Sequence, residues 1–331
     1  MKSFMNLTFK RGLRTAGTPI SFWFGRRLWD FYGRTLNLRG GNTVRIFAVA
    51  SLALALSTTI LAAPAFAAPT PKGPLVEFDM MTWPEVKAAI ASGKTTALIY
   101  TGGTEQRGPQ DVNGGHTLLG RPTVKAIAEK LGNAIAMPVL AFTPNRANPD
   151  MPGTIGLTPE ILAVVLEHIT RETIANGFKN VVVMGDHGGG QGPLGPKNVY
   201  DTVAKKLDAE FGPKGIHVYY CDRVYAPAEE AFDKELMAKG LPVSTHAGIS
   251  DTSELMYLEE IYHEAWVRDD QLPKAEGTPI DPVTHKPTGP DPHTGITGDA
   301  RPSTKALGKH FFEMKVDYAV KQIQGFIPPA K

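Results

Sequence analysis

Three stretches of this 331-residue chain concentrate side chains that bind metal ions or move protons. "GGTEQRGPQDVNGGH" holds Glu105 and His116, "VVVMGDHGGGQGP" holds Asp186 and His187, and "STHAGISDTSELM" holds His246, Asp251 and Glu254. Carboxylate oxygens and imidazole nitrogens drawn from separate segments form the donor set of a zinc, manganese or iron site. Taken one at a time, each cluster has a plainer reading, because an acid or histidine at a strand end commonly caps a helix or accepts a backbone hydrogen bond. Competing chemistries find less support. The glycines after His187 lack both the Lys-Ser/Thr of a P-loop and the G-x-G-x-x-G spacing, which argues against a nucleotide phosphate. No G-x-S-x-G occurs, and the only cysteine, Cys221, has no evident histidine partner, so neither a serine nor a cysteine nucleophile is expected.

Positioning such groups requires a rigid frame, and the sequence supplies one. Residues 95–102, 134–142, 180–186 and 216–222 are short, continuous and apolar, as centrally buried parallel strands read. Helical patterns run over 121–132, 158–177 and 196–212, and resume from Lys305 onward. The second is framed by Thr158 as N-cap, Pro159 at its first position and Gly177 past its end. The alternation implies one α/β domain with a mostly parallel sheet and helices on both faces. Ligands of open α/β sheets bind beyond the carboxyl ends of the strands, and Glu105 and His187 each follow a strand. The glycines after His187 let the chain turn sharply, so that the imidazole projects into a cleft beside Glu105 while nearby amides face an anion or oxyanion. Residues 273–302, rich in proline and glycine, read as a long ordered arm.

The N-terminus has a different character. Residues 46–62 form an uncharged apolar run after Arg45, and Ala65-Phe66-Ala67 fits a small-x-small cleavage site. Residues 1–67 therefore read as an N-terminal extension and signal peptide cleaved near Ala67, and residues 68–331 as the working domain, placed in the periplasm or secreted. A run of about 17 residues lies at the lower limit for spanning a bilayer, and no stable membrane anchor is expected after cleavage. The segment before the run is strongly basic, with Asp30 its only acid, so the remainder of the chain is net acidic. Nucleic acid is not an expected partner.

The first stretch resembles the "GSxEQHGPHLPLxTD" signature of the creatininase (creatinine amidohydrolase) family. "MPGTIGLTPE" resembles the family's "FPGTISLxxE", "GDHGGG" its "NGHGGN" and "HAGISDTS" its "HAGExETS". "TGITGDARPSTKALGKHFF" is similar to the closing "GVxGDPxxAxxEKG" element, and all five blocks keep the family's order from about residue 75 to the C-terminus. The resemblance implies a three-layer α/β/α domain with a mostly parallel sheet, usually assembled as a homo-oligomer. It also implies hydrolysis of a carbon–nitrogen bond in a cyclic or small amide with one or two divalent metal ions. Carried over position by position, Glu105 and His187 fall on metal ligands and His116 on the aspartate that bridges two metals. Arg107 falls on the second-metal histidine, Asp251 on the glutamate of "ETS", and His246 on the histidine that passes a proton to the leaving nitrogen.

Two departures alter that picture. Arginine does not deprotonate and cannot bind a metal, and a neutral imidazole at 116 binds one metal through one nitrogen where a carboxylate bridges two. The expectation is therefore one divalent ion per chain, zinc ahead of manganese or iron, held by Glu105, His116, His187 and Asp251, with Asp251 favoured over Glu254. A small-molecule amide is the expected substrate, with His246 and Arg107 as the catalytic candidates. Arg107 either supplies the charge of the missing ion to the substrate or is tied into a salt bridge with Asp111 or Asp186. The alternative is a degenerate, non-catalytic member of the family that binds a small ligand or a partner.

Overall fold

The computed structural model describes residues 75–191 and 198–327. The expected extension and signal peptide lie outside these residues. After a first helix, α1 (Trp83–Ala91), four parallel strands carry the core: β1 (Thr96–Thr101), β2 (Ala134–Ala136), β3 (Asn180–Gly185) and β4 (His217–Tyr220), in spatial order β2-β1-β3-β4. β1 is buried along its whole length and runs in register with β3, from Thr96 opposite Asn180 to Thr101 opposite Gly185.

Side chains of the two central strands alternate between two cores. Leu98, Tyr100, Val182 and Met184 meet Val124 and Ile127 of α2 (Gly115–Leu131) and Val316 and Ile323 of α7 (Lys305–Phe326). Ile99, Val181 and Val183 meet Leu162 and Leu166 of α3 (Pro159–Ala175) and Val203 and Leu207 of α4 (Val199–Phe211). A strand that is apolar on both faces needs helices on both sides, and the result is the three-layer α/β/α arrangement. Each fully buried leucine or isoleucine contributes roughly 1.5–3 kcal/mol. At one end, α5 (Ala226–Ala238) and α6 (Ile249–Tyr262) join α7 around Phe232, Leu236, Ile249 and Phe311.

The winding order locates the crevice. The chain lays down β1, adds β2 on one side, and then crosses over to lay β3 and β4 on the other. The direction of winding thus reverses between β1 and β3, which opens a binding crevice beyond their carboxyl ends. Glu105 and His187 lie just past those two ends.

Several boundaries differ from the sequence expectation. Proline cannot donate to a sheet ladder, and β2 stops at Ala136, shortly before Pro138; a single bridge between Thr101 and Leu140 continues the pairing. α2 begins at Gly115 instead of 121 and carries Pro122 inside it, so His116 belongs to a helix and not to a loop. Asp251 and Glu254 likewise lie on a helix, α6. α3 matches its frame, with Thr158 Oγ1 accepting from the Ile161 amide at 3.3 Å. The arm over 273–302 is ordered: the Gly277 amide donates to Gly298 O at 2.8 Å, and the Thr297 amide donates to His246 O at 3.1 Å. Among the described residues no helix is long and apolar enough to cross a membrane.

Candidate metal centre

At the crevice, ligand atoms of Glu105, His116 and His187 all lie within 4.8 Å of one another, and all three residues are buried. His116 Nε2 is 3.0 Å from Glu105 Oε1, and His187 Nε2 is 3.2 Å from Glu105 Oε2. Asn145 Nδ2 donates to Glu105 Oε2 at 2.6 Å and steadies the carboxylate. Thr143 Oγ1 and the Gly189 amide both reach His187 Nδ1, at 2.8 and 3.0 Å. An amide can only donate, so in the metal-free chain Nδ1 accepts and Nε2–H faces Glu105. Binding a metal through Nε2 requires that proton to leave, and Thr143 Oγ1 can then accept from Nδ1–H. Burial works to raise the pKa of Glu105, but its bonds to His116 and His187 prevail and hold it far below the usual carboxylate range. Burial and Arg107 oppose charge on His116, yet Asp186 and Glu105 outweigh them and raise it to about 9. Two imidazoles around one buried carboxylate is a donor set suited to a divalent ion: three protein ligands, with a position left over as in catalytic zinc sites.

Glycines make this convergence possible. A Cβ on Gly103 would lie 2.9 Å from His187 Cδ2; one on Gly189 would lie 2.1 Å from Pro144 O and 2.8 Å from His187 Cε1. The Gly-rich turn after β3 therefore answers to close packing around the imidazole. Gly189→Ala is expected to displace that ring and weaken zinc binding by about tenfold or more, measured by competition with a chromophoric chelator. Unchanged affinity would show that the ring tolerates the displacement.

The remaining expected residues fall in different places. His246 lines the same cavity, of about 550 Å³, with Nδ1 3.5 Å from Glu105 Oε1. Asp251 lines it too, but it is not brought into the ligand group. Its Oδ1 lies 2.7 Å from Arg107 Nη2, and its Oδ2 accepts from the Ala247 amide at 2.8 Å. Arg107 has 0% exposure and is absent from the cavity wall, so it does not reach a substrate. The salt-bridge reading describes it better, with Asp251 as its partner in place of Asp111 or Asp186. Its nitrogens make no aligned hydrogen bond among the described residues. Burial opposes its charge, but attraction from Asp251, Asp111 and Glu105 prevails. Burial pushes Asp111 up to about 7, against the pull of Arg107. Cys221 is buried, its thiol pushed up to about 12 by burial, which removes it as a nucleophile.

Two features were not singled out from sequence. Glu229, on α5, lines the cavity half-buried and is pushed up to about 8, chiefly by burial and then by Asp251. Lys315, on α7, is buried between Asp186 and Glu254. Neither carries a local signal, since an acid or lysine on an amphipathic helix reads as a solvated face.

Known proteins resemble this chain over most of its described length. A family model described as creatininase, creatinine amidohydrolase, matches residues 79–323. A creatinine amidohydrolase of Pseudomonas putida is 29% identical over 112 residues, which make up 32% of this chain and 43% of that protein. The matched stretch thus spans less than half of that relative. A crystal structure of creatinine amidohydrolase (creatininase) superposes with a TM-score of 0.61 at 20% identity, covering 78% of this chain and 100% of that one. A creatininase mutant described as a zinc–zinc type gives 0.58 at 22% identity, covering 78% of this chain and 100% of that one. At these identities the structural likeness is one of fold.

Proposed function

Because this chain belongs to the creatininase family, we propose that it is an exported, metal-dependent hydrolase acting on a carbon–nitrogen bond of a cyclic or small amide. The observation that carries this reading is the convergence of Glu105, His116 and His187 in the crevice between β1 and β3. The donors fit one divalent ion, zinc ahead of manganese or iron. Such an ion supplies a Lewis acid for the amide carbonyl and lowers the pKa of a bound water toward neutrality. The chain does the rest. Asn145 and Thr143 orient the ligands, and His246 presents an unprotonated Nδ1 that can take up and return a proton. Pro144, Ala163, Val199 and Tyr225 give the cavity an apolar wall for a small molecule.

Elemental analysis of the purified protein tests the reading: about one divalent ion per chain in the unmodified protein and none in His187→Ala. No bound or bindable metal in either would favour the non-catalytic alternative. Affinity should also depend on pH with a definite sign. Since His116 is raised to about 9, a metal competes with its proton at neutral pH, and zinc affinity should climb about tenfold per pH unit until pH 9. A flat profile between pH 7 and 9 would show that no proton leaves His116 when the metal binds, so that the ring is either neutral already or outside the ligand set.

Export rests on residues 1–67 alone. The mature protein is expected to begin near Ala68 in the periplasm or outside the cell, and N-terminal sequencing that finds Met1 or Arg11 on the folded protein would overturn it. Assembly as a homo-oligomer follows the family's habit and is read by light scattering.

A further inference from the structure

Behind His116 lies a buried charge cluster that the proposed chemistry leaves unused. Lys315, 3% exposed, projects from α7 and places Nζ 3.0 Å from Asp186 Oδ2 and 2.9 and 3.1 Å from the two oxygens of Glu254 on α6. The other oxygen of Asp186, Oδ1, is buried without a hydrogen-bond partner among the described residues. It lies 3.6 Å from His116 Nδ1, itself buried and unpartnered. Two orphaned polar atoms facing each other, one on a candidate ligand ring, are uncommon in a protein interior, where nearly all such groups are paired. A slight rotation of the imidazole closes the gap.

Both positions depart from the signatures that the chain resembles. Asp186 stands where "NGHGGN" has glycine, and His116 stands where the first signature has aspartate. A ligand histidine needs its second nitrogen held if its ring is to face the metal, commonly by a carboxylate. The carboxylate in turn must be kept from collapsing elsewhere.

We propose that Lys315 is a positioning residue: by gripping Asp186 from behind, it aims that carboxylate at His116 Nδ1 and so presents His116 Nε2 to Glu105 and His187. This rests on the metal-binding reading of the triad. The plain alternative is that Lys315 only neutralises Glu254, which a lone buried carboxylate between two helices would require.

Three variants separate the possibilities: Lys315→Met, the double variant Lys315→Met/Glu254→Leu, and the near-isosteric Asp186→Asn. The probes are zinc alone, competed with a chromophoric chelator, and thermal unfolding of the metal-free chains. Lys315→Met should lower both Tm and zinc affinity, the latter about ten- to hundredfold. The double variant removes the stranded carboxylate and should recover Tm while keeping the affinity loss. Recovery of both would overturn the proposal and leave Lys315 a counterion for Glu254. Asp186→Asn should weaken zinc on its own, and it decides the matter if neither Lys315 variant folds; wild-type affinity there would also overturn the proposal. If the unmodified chain binds no zinc, the metal-binding reading itself has failed, which is distinguishable from every result above.

Discussion

Exchanging His246 for glutamine should leave bound metal at the unmodified level and lower amide turnover by about two to four orders of magnitude. The argument starts from the ring's tautomer. His246 Nε2 lies 2.8 Å from Gln106 O, and a carbonyl only accepts, so the neutral ring carries its proton on Nε2. Nδ1 is left with a lone pair, 3.5 Å from Glu105 Oε1, at the edge of the ligand group. Burial keeps the pKa below 6.5, against the pull of Glu105, so the ring is neutral and basic at pH 7. A ring so placed can take a proton at Nδ1 and return it to a departing nitrogen. Glutamine preserves a polar contact but cannot carry that proton. Because the shift is downward, the acid limb of the rate profile is expected below pH 6.5. Metal content measured beside turnover separates the roles. Loss of metal in the variant would make His246 a ligand, and unimpaired turnover would remove it from the chemistry.

How much of this was legible beforehand follows from the range of each interaction. β1 and β3 announced themselves because both faces are buried, which forces an unbroken apolar run. α3 was framed by its own ends, Thr158 and Pro159. The start of α2 was hidden: its first turn is "GHTL" after a glycine cap that has no side chain, and Pro122 lies within the helix, where proline is normally disfavoured. α6 showed no amphipathic period because it is buried nearly all round, from Ile249 through Leu258. At the site, Glu105, His116 and His187 were recoverable from the motifs around them. The partner of Arg107 was not: Asp111 and Asp186 were the expected acids, Asp251 was expected on the metal, and only packing of α6 against the 105–111 loop brings Asp251 to the guanidinium. Lys315 was farther out of reach: its partners lie 61 and 129 residues away in sequence, with nothing local to indicate burial.

Zinc titration of the metal-free protein should saturate near one equivalent, whereas the double substitution Arg107→His/His116→Asp, which restores the pattern of the resembling signature, should take up a second. The reason lies in where the guanidinium sits. Arg107 Nη2 is 2.7 Å from Asp251 and Nη1 is 3.7 Å from Glu105, so one fixed positive group already stands between two of the carboxylates that a second ion would need. Bringing a divalent ion beside it would set like charges against each other in a buried setting. Unit charges about 4 Å apart there interact by about 4 kcal/mol, and a divalent ion about doubles that. His116 adds a second obstacle, because an imidazole nitrogen has no further lone pair with which to bridge. Asp251 then acts as the counterion of Arg107. Asp251→Ala should strand a fully buried cation, destabilising the metal-free fold by about 3–5 kcal/mol with a matching fall in Tm, while zinc still binds at one equivalent. If Asp251→Ala instead keeps its Tm and loses zinc, Asp251 is a fourth ligand and the ion pair is secondary. Two tightly held equivalents in the unmodified chain would refute the single-ion arrangement outright, because no rearrangement short of expelling Arg107 frees the carboxylates for both.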